Sequence, residues 1–334
     1  MPDLVESMFY VGDKPWHGKG IQLENPPTIK EALVSAGLDW EVKKAPTYFH
    51  EDHKIDGESY DHGMVFEQQT GYYATYRTDT KEPLGNVSER YEVMQNEDAF
   101  APFEPMIDWG FTLETAGSIK QGKKIWILAK SPEDYLVGDD KIHRYVFLYT
   151  SHDGSSGNCF RDTGIRIVCN NTLNFAISSK MTFSYQIRHT ASMKTKMDDL
   201  KDSLVQSKGN FKKAIDALNR FKEYEMNMKQ LDKYLETSIP FLKNRDKVSQ
   251  PDIPTRNFAK PAYEKMVDLF VHGRGNKGKT LWDAYNSVTD YYDHEKQYSD
   301  WVSSTQFGAA YDYKVAAFKT GLNMVYAEKP VIVI

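Results

Sequence analysis

The chain has 334 residues, of which 40% are hydrophobic, 27% charged and 13% aromatic, with a formal net charge of −5 at pH 7. This composition is typical of a globular protein and too aromatic for a disordered one. No run of about 18 apolar residues is present, which excludes a membrane-spanning helix, and the first residues lack a secretion signal pattern. Two cysteines, Cys159 and Cys169, are too few for a disulfide framework. We therefore expect a cytoplasmic protein.

Charge is distributed unevenly along the chain. Residues 161–214 and 241–281 carry more Lys and Arg than Asp and Glu, whereas residues 1–60 carry more acidic residues than basic ones. Scattered surface charge is one explanation. The alternative is that the fold brings the two basic segments together into one anion-binding surface.

The first half of the chain is predicted to be rich in β-structure. A helix is expected over residues 28–36, because Thr28 and Glu31 can form a capping box and Gly37 can end the helix. Asn96 is predicted to cap a helix that two prolines shorten or kink, and another short helix is expected to begin near residue 170 or 171. The predicted strands cover residues 40–49, 72–78, 84–94, 111–119, 124–130, 143–150 and 158–168, with a hairpin turn at 120–122.

The second half is predicted to be helical. Apolar residues recur at spacings of three, four and seven over residues 211–235, and further helices are expected over residues 280–292 and 309–326. We therefore predict an α+β fold, with a largely antiparallel curved sheet backed by helices and a helical C-terminal half. The expected division is a β-rich domain of residues 1–189 and a mostly helical region of residues 190–334 that packs on the sheet.

A basic, glycine-rich loop is expected over residues 272–280. Gly273 to Thr280 matches the pattern G-x-x-x-x-G-K-T, in which backbone amides and a lysine hold phosphate groups. The predicted context differs from that of a nucleotide hydrolase, because a helix precedes the loop and few residues follow it. The alternative interpretation is that Thr280 caps the next helix while Arg274, Lys277 and Lys279 attract a nucleic-acid backbone or another phosphate.

Two other segments are weaker candidates for chemistry. The run from His50 to His62 contains metal-ligand side chains, but a solvated hairpin tip explains it better. Cys169 lies among histidines in the sequence, yet no activating motif surrounds it, so we expect a structural cysteine whose replacement by serine leaves function intact. We predict no catalytic residue, no metal and no cofactor.

Basic and aromatic residues surround the predicted turn at residues 151–155. Arg161 and Arg166 follow on one strand and should lie on opposite faces unless Gly164 forms a bulge. Arg188, Lys194 and Lys196 precede or begin the long helix. Rings that alternate along neighbouring strands suit stacking on DNA bases, although a buried core explains them equally well; they are Tyr145, Phe147, Tyr149, Phe183 and Tyr185.

Five segments of the chain resemble the phage/plasmid-like protein family, which carries the domain of unknown function numbered 932. These segments are WHG at 16–18, VSERYEV at 87–93, SHDGS at 151–155, RIVCNNTL at 166–173 and GRGNKGKTLWDAY at 273–285. The resemblance covers nearly the whole chain and implies an origin on phages, plasmids or related elements. It also suggests a remote similarity to phage single-strand annealing proteins, whose fold is a curved antiparallel sheet backed by helices.

We therefore predict a homo-oligomeric protein that binds single-stranded DNA and anneals strands in phage or mobile-element recombination, without nucleotide hydrolysis and without a membrane partner. The net charge of −5 argues against this hypothesis. Two alternatives stay open: a nucleotide- or phosphate-binding phage enzyme that uses the loop 273–280, and a phage protein that inhibits a host factor. The predicted phosphate contacts are Arg161, Arg166, Arg188, Lys194, Lys196, Arg274, Lys277 and Lys279.

Overall fold

The computed structural model of the protein describes residues 5–12, 19–52, 65–166, 171–173, 184–245, 258–298, 304–305 and 308–327. The strands in this part of the chain are β1 Val5–Val11, β2 Ile21–Leu23, β3 Val42–Asp52, β4 Val65–Arg77, β5 Pro83–Ser88, β6 Thr112–Ile119, β7 Lys124–Val137, β8 Asp140–Ser151, β9 Asn158–Arg166, β10 Asn171–Leu173 and β11 Ser184–Ile187. The α-helices are α1 Ile29–Ser35, α2 Asn96–Phe100, α3 Glu104–Asp108, α4 Met193–Glu223, α5 Met228–Ser238, α6 Ala259–His272, α7 Leu281–Asp290 and α8 Ala309–Tyr326. Two 3₁₀ segments, Ala101–Phe103 and Pro240–Asn244, and a π-helical turn, Tyr291–Glu295, are also present in the described residues.

The strands form two sheets. The large sheet has the order β10-β9-β8-β7-β6-β1-β2, and β11 also pairs with β9. All its pairs are antiparallel except β1 with β2. The small sheet contains β3, β4 and β5, which pair antiparallel. A helical second half follows the sheets, so the fold is α+β, as predicted.

The large sheet and the helical half each contribute to a buried core. One face of the sheet, with Ile127 and Leu148, packs on residues of α1, α2 and the start of α4. A second core joins α4, α5, α6, α7 and α8 around Phe221 and Trp282, and it includes Ile142 of β8. Because α4 contributes to both cores, this one helix connects the sheet to the helical half.

Several locally encoded features match the predictions. Thr28 and Glu31 form the predicted capping box at the start of α1. The β6–β7 hairpin turns at Lys120, Gln121 and Gly122, all with positive φ. Glycine is needed at the last position, because a Cβ there would lie 2.8 Å from the Trp40 ring. Helix α8 has the predicted bounds.

Three predictions of local structure are wrong. Gln95 rather than Asn96 occupies the N-cap of α2, and the Asn96 side-chain amide instead donates to the carbonyl oxygens of Leu38 and Trp40. The strand expected over residues 84–94 ends at Ser88. Residues 171–173 form strand β10, where a helix start was expected. Among the described helices, none is long and apolar enough to cross a membrane.

Candidate nucleic-acid interface

Helix α4 separates six of the predicted basic residues into two groups. The helix-start group is Arg188, Lys194 and Lys196, and the loop group is Arg274, Lys277 and Lys279. The helix-start group lies just before α4 and in its first turn. The loop group lies beside the other end of α4, because the amide of Met226 donates to the carbonyl oxygen of Lys279 and that of Leu281 to Tyr224.

The distance between the two groups follows from the length of α4. At a rise of about 1.5 Å per residue, the helix axis from Lys196 to Glu223 is roughly 40 Å long. The helix-start group and the loop group therefore do not form one surface, and the alternative in which the fold joins the two basic segments does not hold for these six residues.

Arg161 and Arg166 lie on β9. The β8–β9 register is continuous, with Gly164 opposite Arg144, so no bulge occurs and positions 161 and 166 fall on opposite faces. Arg166 pairs with Ile142, close to the end of the sheet that contacts α7. Position 166 is therefore at the loop-group end of the sheet.

Arg161 is only 5% exposed. Its guanidinium carbon lies 4.1 Å from the centroid of the Tyr311 ring in α8, and its Nη2 donates to Cys159 Sγ at 3.7 Å. These contacts hold the side chain between the sheet and the helical half. The prediction that Arg161 contacts DNA phosphate does not fit this burial, and Arg161 is not part of the interface described below.

The start of α4 is a positively charged helix terminus. Ser192 occupies the N-cap without a side-chain hydrogen bond to the backbone of the first turn, and that turn contains no acidic residue. Arg188 and Lys196 are exposed. Since the helix dipole adds positive potential at the same place, this terminus favours an anion.

The segment after β5 packs against the helix-start group. The amide of Glu92 donates to the carbonyl oxygen of His189, and the His189 ring stacks on Tyr91 at 4.6 Å. Exposed Arg90 lies next to these residues in the chain. Sequence reasoning missed Arg90 as a candidate contact, although it lies within the family-like segment at residues 87–93.

Lysine 44 connects the small sheet to the same region. Lys44 Nζ donates to the carbonyl oxygens of Glu89 at 2.7 Å and Tyr91 at 2.9 Å, and it lies 5.3 Å from the centroid of the Tyr73 ring. The two strands that carry Lys44 and Tyr73, β3 and β4, also carry exposed rings. Tyr48 on β3 is 49% exposed, and Tyr72 on β4 is 57% exposed. The basic end of the protein is defined as the helix-start group with Lys44 and Arg90, and the exposed rings lie further along β3 and β4 from Lys44.

The aromatic residues chosen from the sequence are in different surroundings. Tyr145, Phe147 and Tyr149 are each at most 5% exposed, so they are core rings rather than a stacking surface. Tyr185 is half-buried against the core, and Phe183 lies outside the described residues. The buried-core alternative is therefore correct for the three rings on β8.

A buried polar network lies beneath the basic end. His152 Nε2 donates to Asn96 Oδ1 at 2.9 Å, and the Thr75 hydroxyl donates to the carbonyl oxygen of His152. Complete burial lowers the pKa of His152 to about 3, and burial also lowers the pKa of His189. Both histidines are therefore neutral at pH 7, and the network holds the turn 151–155 against the small sheet.

The loop 273–280 differs from a nucleotide-binding loop in its hydrogen bonds. The amides of Lys279 and Thr280 donate to Asp283 Oδ2 at 3.0 and 3.1 Å, and Thr280 Oγ1 accepts the amide of Asp283. Asn276 Nδ2 donates to the carbonyl oxygen of Leu269, at the end of the helix that precedes the loop. The amides and hydroxyl that would hold phosphate and magnesium thus begin helix α7 instead. Arg274, Lys277 and Lys279 keep exposed side chains.

Metal and cysteine chemistry have little support in the described part of the chain. No group of three or more histidine, cysteine, aspartate or glutamate side chains in these residues could hold a metal ion. Most of the candidate run from His50 to His62, and Cys169, lie outside the described residues. Cys159 is a free, buried cysteine.

The fold and this surface define a class of protein: a mixed α+β protein with a basic end built around the N-terminus of one long helix. The family described as domain of unknown function (DUF932) matches residues 83–317, and the chain belongs to that family, as the sequence resemblance predicted. The match begins at β5 and includes the turn 151–155, α4 and the loop 273–280. No curated protein and no solved structure matches the chain.

Proposed function

We propose that the protein binds single-stranded DNA through its basic end, without hydrolysing nucleotide. The observation that carries the proposal is the N-terminus of α4, which has no acidic residue in its first turn and is flanked by exposed Arg188 and Lys196. Backbone phosphates are the ligands that such a charged helix terminus favours.

Two further features support the proposal, and the first of them favours a single strand over a duplex. Exposed rings are available on the small sheet, at Tyr48 and Tyr72, and unpaired bases can stack on such rings. The exposed cations Arg90 and Arg188 lie on segments that contact each other, through the hydrogen bond between Glu92 and His189. Charge and aromatic surface together are what sequence-tolerant binding of single strands requires.

Strand annealing in phage or mobile-element recombination, in the host cytoplasm, is the finer form of this proposal. Annealing needs bound phosphates and accessible bases, and duplex formation supplies the free energy, so no nucleotide has to be hydrolysed. We also propose that the protein associates with itself, which would place several basic ends along one strand. Light scattering with and without DNA measures this association.

Fluorescence anisotropy of a labelled oligonucleotide, titrated at several salt concentrations, tests the site. A four-nucleotide strand, even when fully extended, is shorter than the roughly 40 Å that separate the two ends of α4, so it cannot reach both ends. With this strand, the double variant Arg188→Ala/Lys196→Ala should flatten the dependence of log K on log salt by roughly 0.7 for each lost contact. The matched control, Lys277→Ala/Lys279→Ala, removes the same charge at the other end of α4 and should leave the slope unchanged.

The possible outcomes separate the hypotheses. If the salt dependence of log K changed only in Lys277→Ala/Lys279→Ala, the binding site would lie at the loop group, and the proposal would be contradicted. Turnover of ATP with magnesium, lost in Lys279→Ala, would favour the nucleotide enzyme instead. If the unmodified protein bound no oligonucleotide at low salt, DNA binding would be wrong, and inhibition of a host factor would become the leading hypothesis.

A further inference from the structure

A cleft of about 380 Å³ lies between the large sheet, the end of α3 and helix α4. Its volume is within the usual range of small-ligand sites. Phe111 and Val146 contribute apolar walls, and Trp109 is 45% exposed beside them. Lys208 of α4 and Glu133 of β7 form an ion pair at this cleft. The cleft is distinct from the basic end, and none of the phosphate contacts predicted from the sequence lines it.

An irregularity in β7 shapes the cleft. Lys130 pairs with Tyr145 and Asp134 pairs with His143, so β7 has two extra residues opposite Arg144. Bulges of this kind re-aim side chains and are common beside binding sites. Here the irregular segment contributes Ser131, Pro132 and Glu133 to the lining, and the Ser131 hydroxyl accepts the amide of Glu133 at 3.3 Å.

The charges in the cleft are matched. Arg144 is 3% exposed and donates through Nε and Nη2 to Asp162 Oδ1, at 3.1 and 2.9 Å. Glu133 and Lys208 are each about half exposed and pair with each other. Since every charge has an opposite partner, an ionic ligand would leave one group uncompensated. The lining therefore suits an uncharged, planar ligand that has both hydrogen-bond donors and acceptors.

We infer that this cleft takes one unstacked nucleobase of the bound strand, with guanine preferred. The inference rests on the proposed DNA binding. The exposed indole of Trp109 offers a stacking face, Lys208 can donate to the O6 and N7 acceptors of guanine, and Glu133 can accept from its amino group. Lys208 is about 18 Å along α4 from Lys196, a distance that a single strand of a few nucleotides can span.

Guanosine is the probe that separates the cleft from the phosphate site, because it has a base and no phosphate. Calorimetric or NMR titration of the full chain should detect binding, and Trp109→Ala should weaken it about 5- to 150-fold, the effect of losing one base–aromatic stack. Trp109→Phe keeps a ring and should retain most of the affinity. Leu136→Ala, an exposed apolar position on β7 outside the cleft lining, is the control and should change nothing.

The oligonucleotide titration supplies a second readout. Trp109→Ala removes no phosphate contact, so it should lower log K equally at every salt concentration and leave the salt slope unchanged. Arg188→Ala/Lys196→Ala should have the opposite pattern of effects. It should change the dependence of the oligonucleotide log K on log salt, while the affinity for guanosine stays the same.

Three results would overturn the inference. The first is oligonucleotide binding with no guanosine binding, which leaves the proposed function intact. The second is guanosine binding that Trp109→Ala does not weaken. The third is an affinity for phenylalanine-containing peptides above that for guanosine, which would assign the cleft to a protein partner. Guanosine binding with no oligonucleotide binding would instead retain the nucleobase site and overturn the proposed function.

Discussion

Protonation of His152 should destabilise the protein below neutral pH. The ring is fully buried, donates to Asn96 Oδ1 and lies edge-on to Trp40, with ring centroids 5.5 Å apart. Burial lowers the pKa of this histidine from 6.5 to about 3. Because the folded pKa is the lower one, the unfolded chain binds the proton first as pH falls. Stability is therefore lost progressively between about pH 6.5 and pH 3.

The magnitude follows from the shift. Each pH unit below 6.5 costs about 1.4 kcal/mol, so the loss at pH 5 is about 2 kcal/mol. Urea unfolding at pH 7 and pH 5, followed by tryptophan fluorescence, measures the free energy of unfolding in each condition. The control is His152→Gln, whose side chain keeps an amide donor and does not titrate.

The comparison between the two chains isolates His152. Carboxylates distant from His152 titrate in both chains, so their contributions cancel in the difference, whereas the weaker interactions of His152 with His189 and Asp153 stay part of it. The unmodified protein should lose about 2 kcal/mol more than His152→Gln between pH 7 and pH 5. Equal losses in the two chains would refute the reasoning, because they would mean that His152 is protonated in the folded protein.

Two further predictions concern stability. Thr280→Ala should lower the free energy of unfolding by about 1 kcal/mol, because it removes the cap on α7. Asp283→Ala should lower it more, by about 2–4 kcal/mol, because two amides lose their acceptor. Denaturant midpoints check this order, and equal losses would contradict it. Arg144→Met should cost about 3–5 kcal/mol because it removes the cation that pairs with the buried carboxylate of Asp162, whereas Arg144→Met/Asp162→Leu should recover most of that loss. A double variant no more stable than the single one would show that the ion pair is not the cause.

Features that depend on neighbouring residues were predictable. The capping box at Thr28 and the hairpin turn at Gly122 involve contacts within a few positions along the chain. The amphipathic spacing also located α4 and α5, because burying one face of a helix requires that spacing. Thr280 was correctly expected to begin a helix, and the family was correctly recognised from its motifs.

Asn96 shows where such local reasoning fails. Asparagine is a good N-cap, and its position just before a predicted helix favoured that role. In the fold, its amide instead donates to two carbonyl groups of a segment more than 50 positions earlier in the chain, at Leu38 and Trp40. A buried carbonyl without a donor is costly, and the side chain that satisfies it is decided by packing.

The sequence by itself determined the fold class, the family and most helix and strand positions, because these follow from periodicity, caps, turns and motifs. Only the tertiary structure decided which basic residues can meet a ligand. Arg161 and the rings of β8 are buried by elements distant in sequence, and the length of α4 holds the helix-start group away from the loop group. The tertiary structure also decided the hydrogen bonds of the loop 273–280, where the amides of Lys279 and Thr280 donate to Asp283. Accessibility and distance between residues depend on how the whole chain packs, and one-dimensional patterns do not contain them.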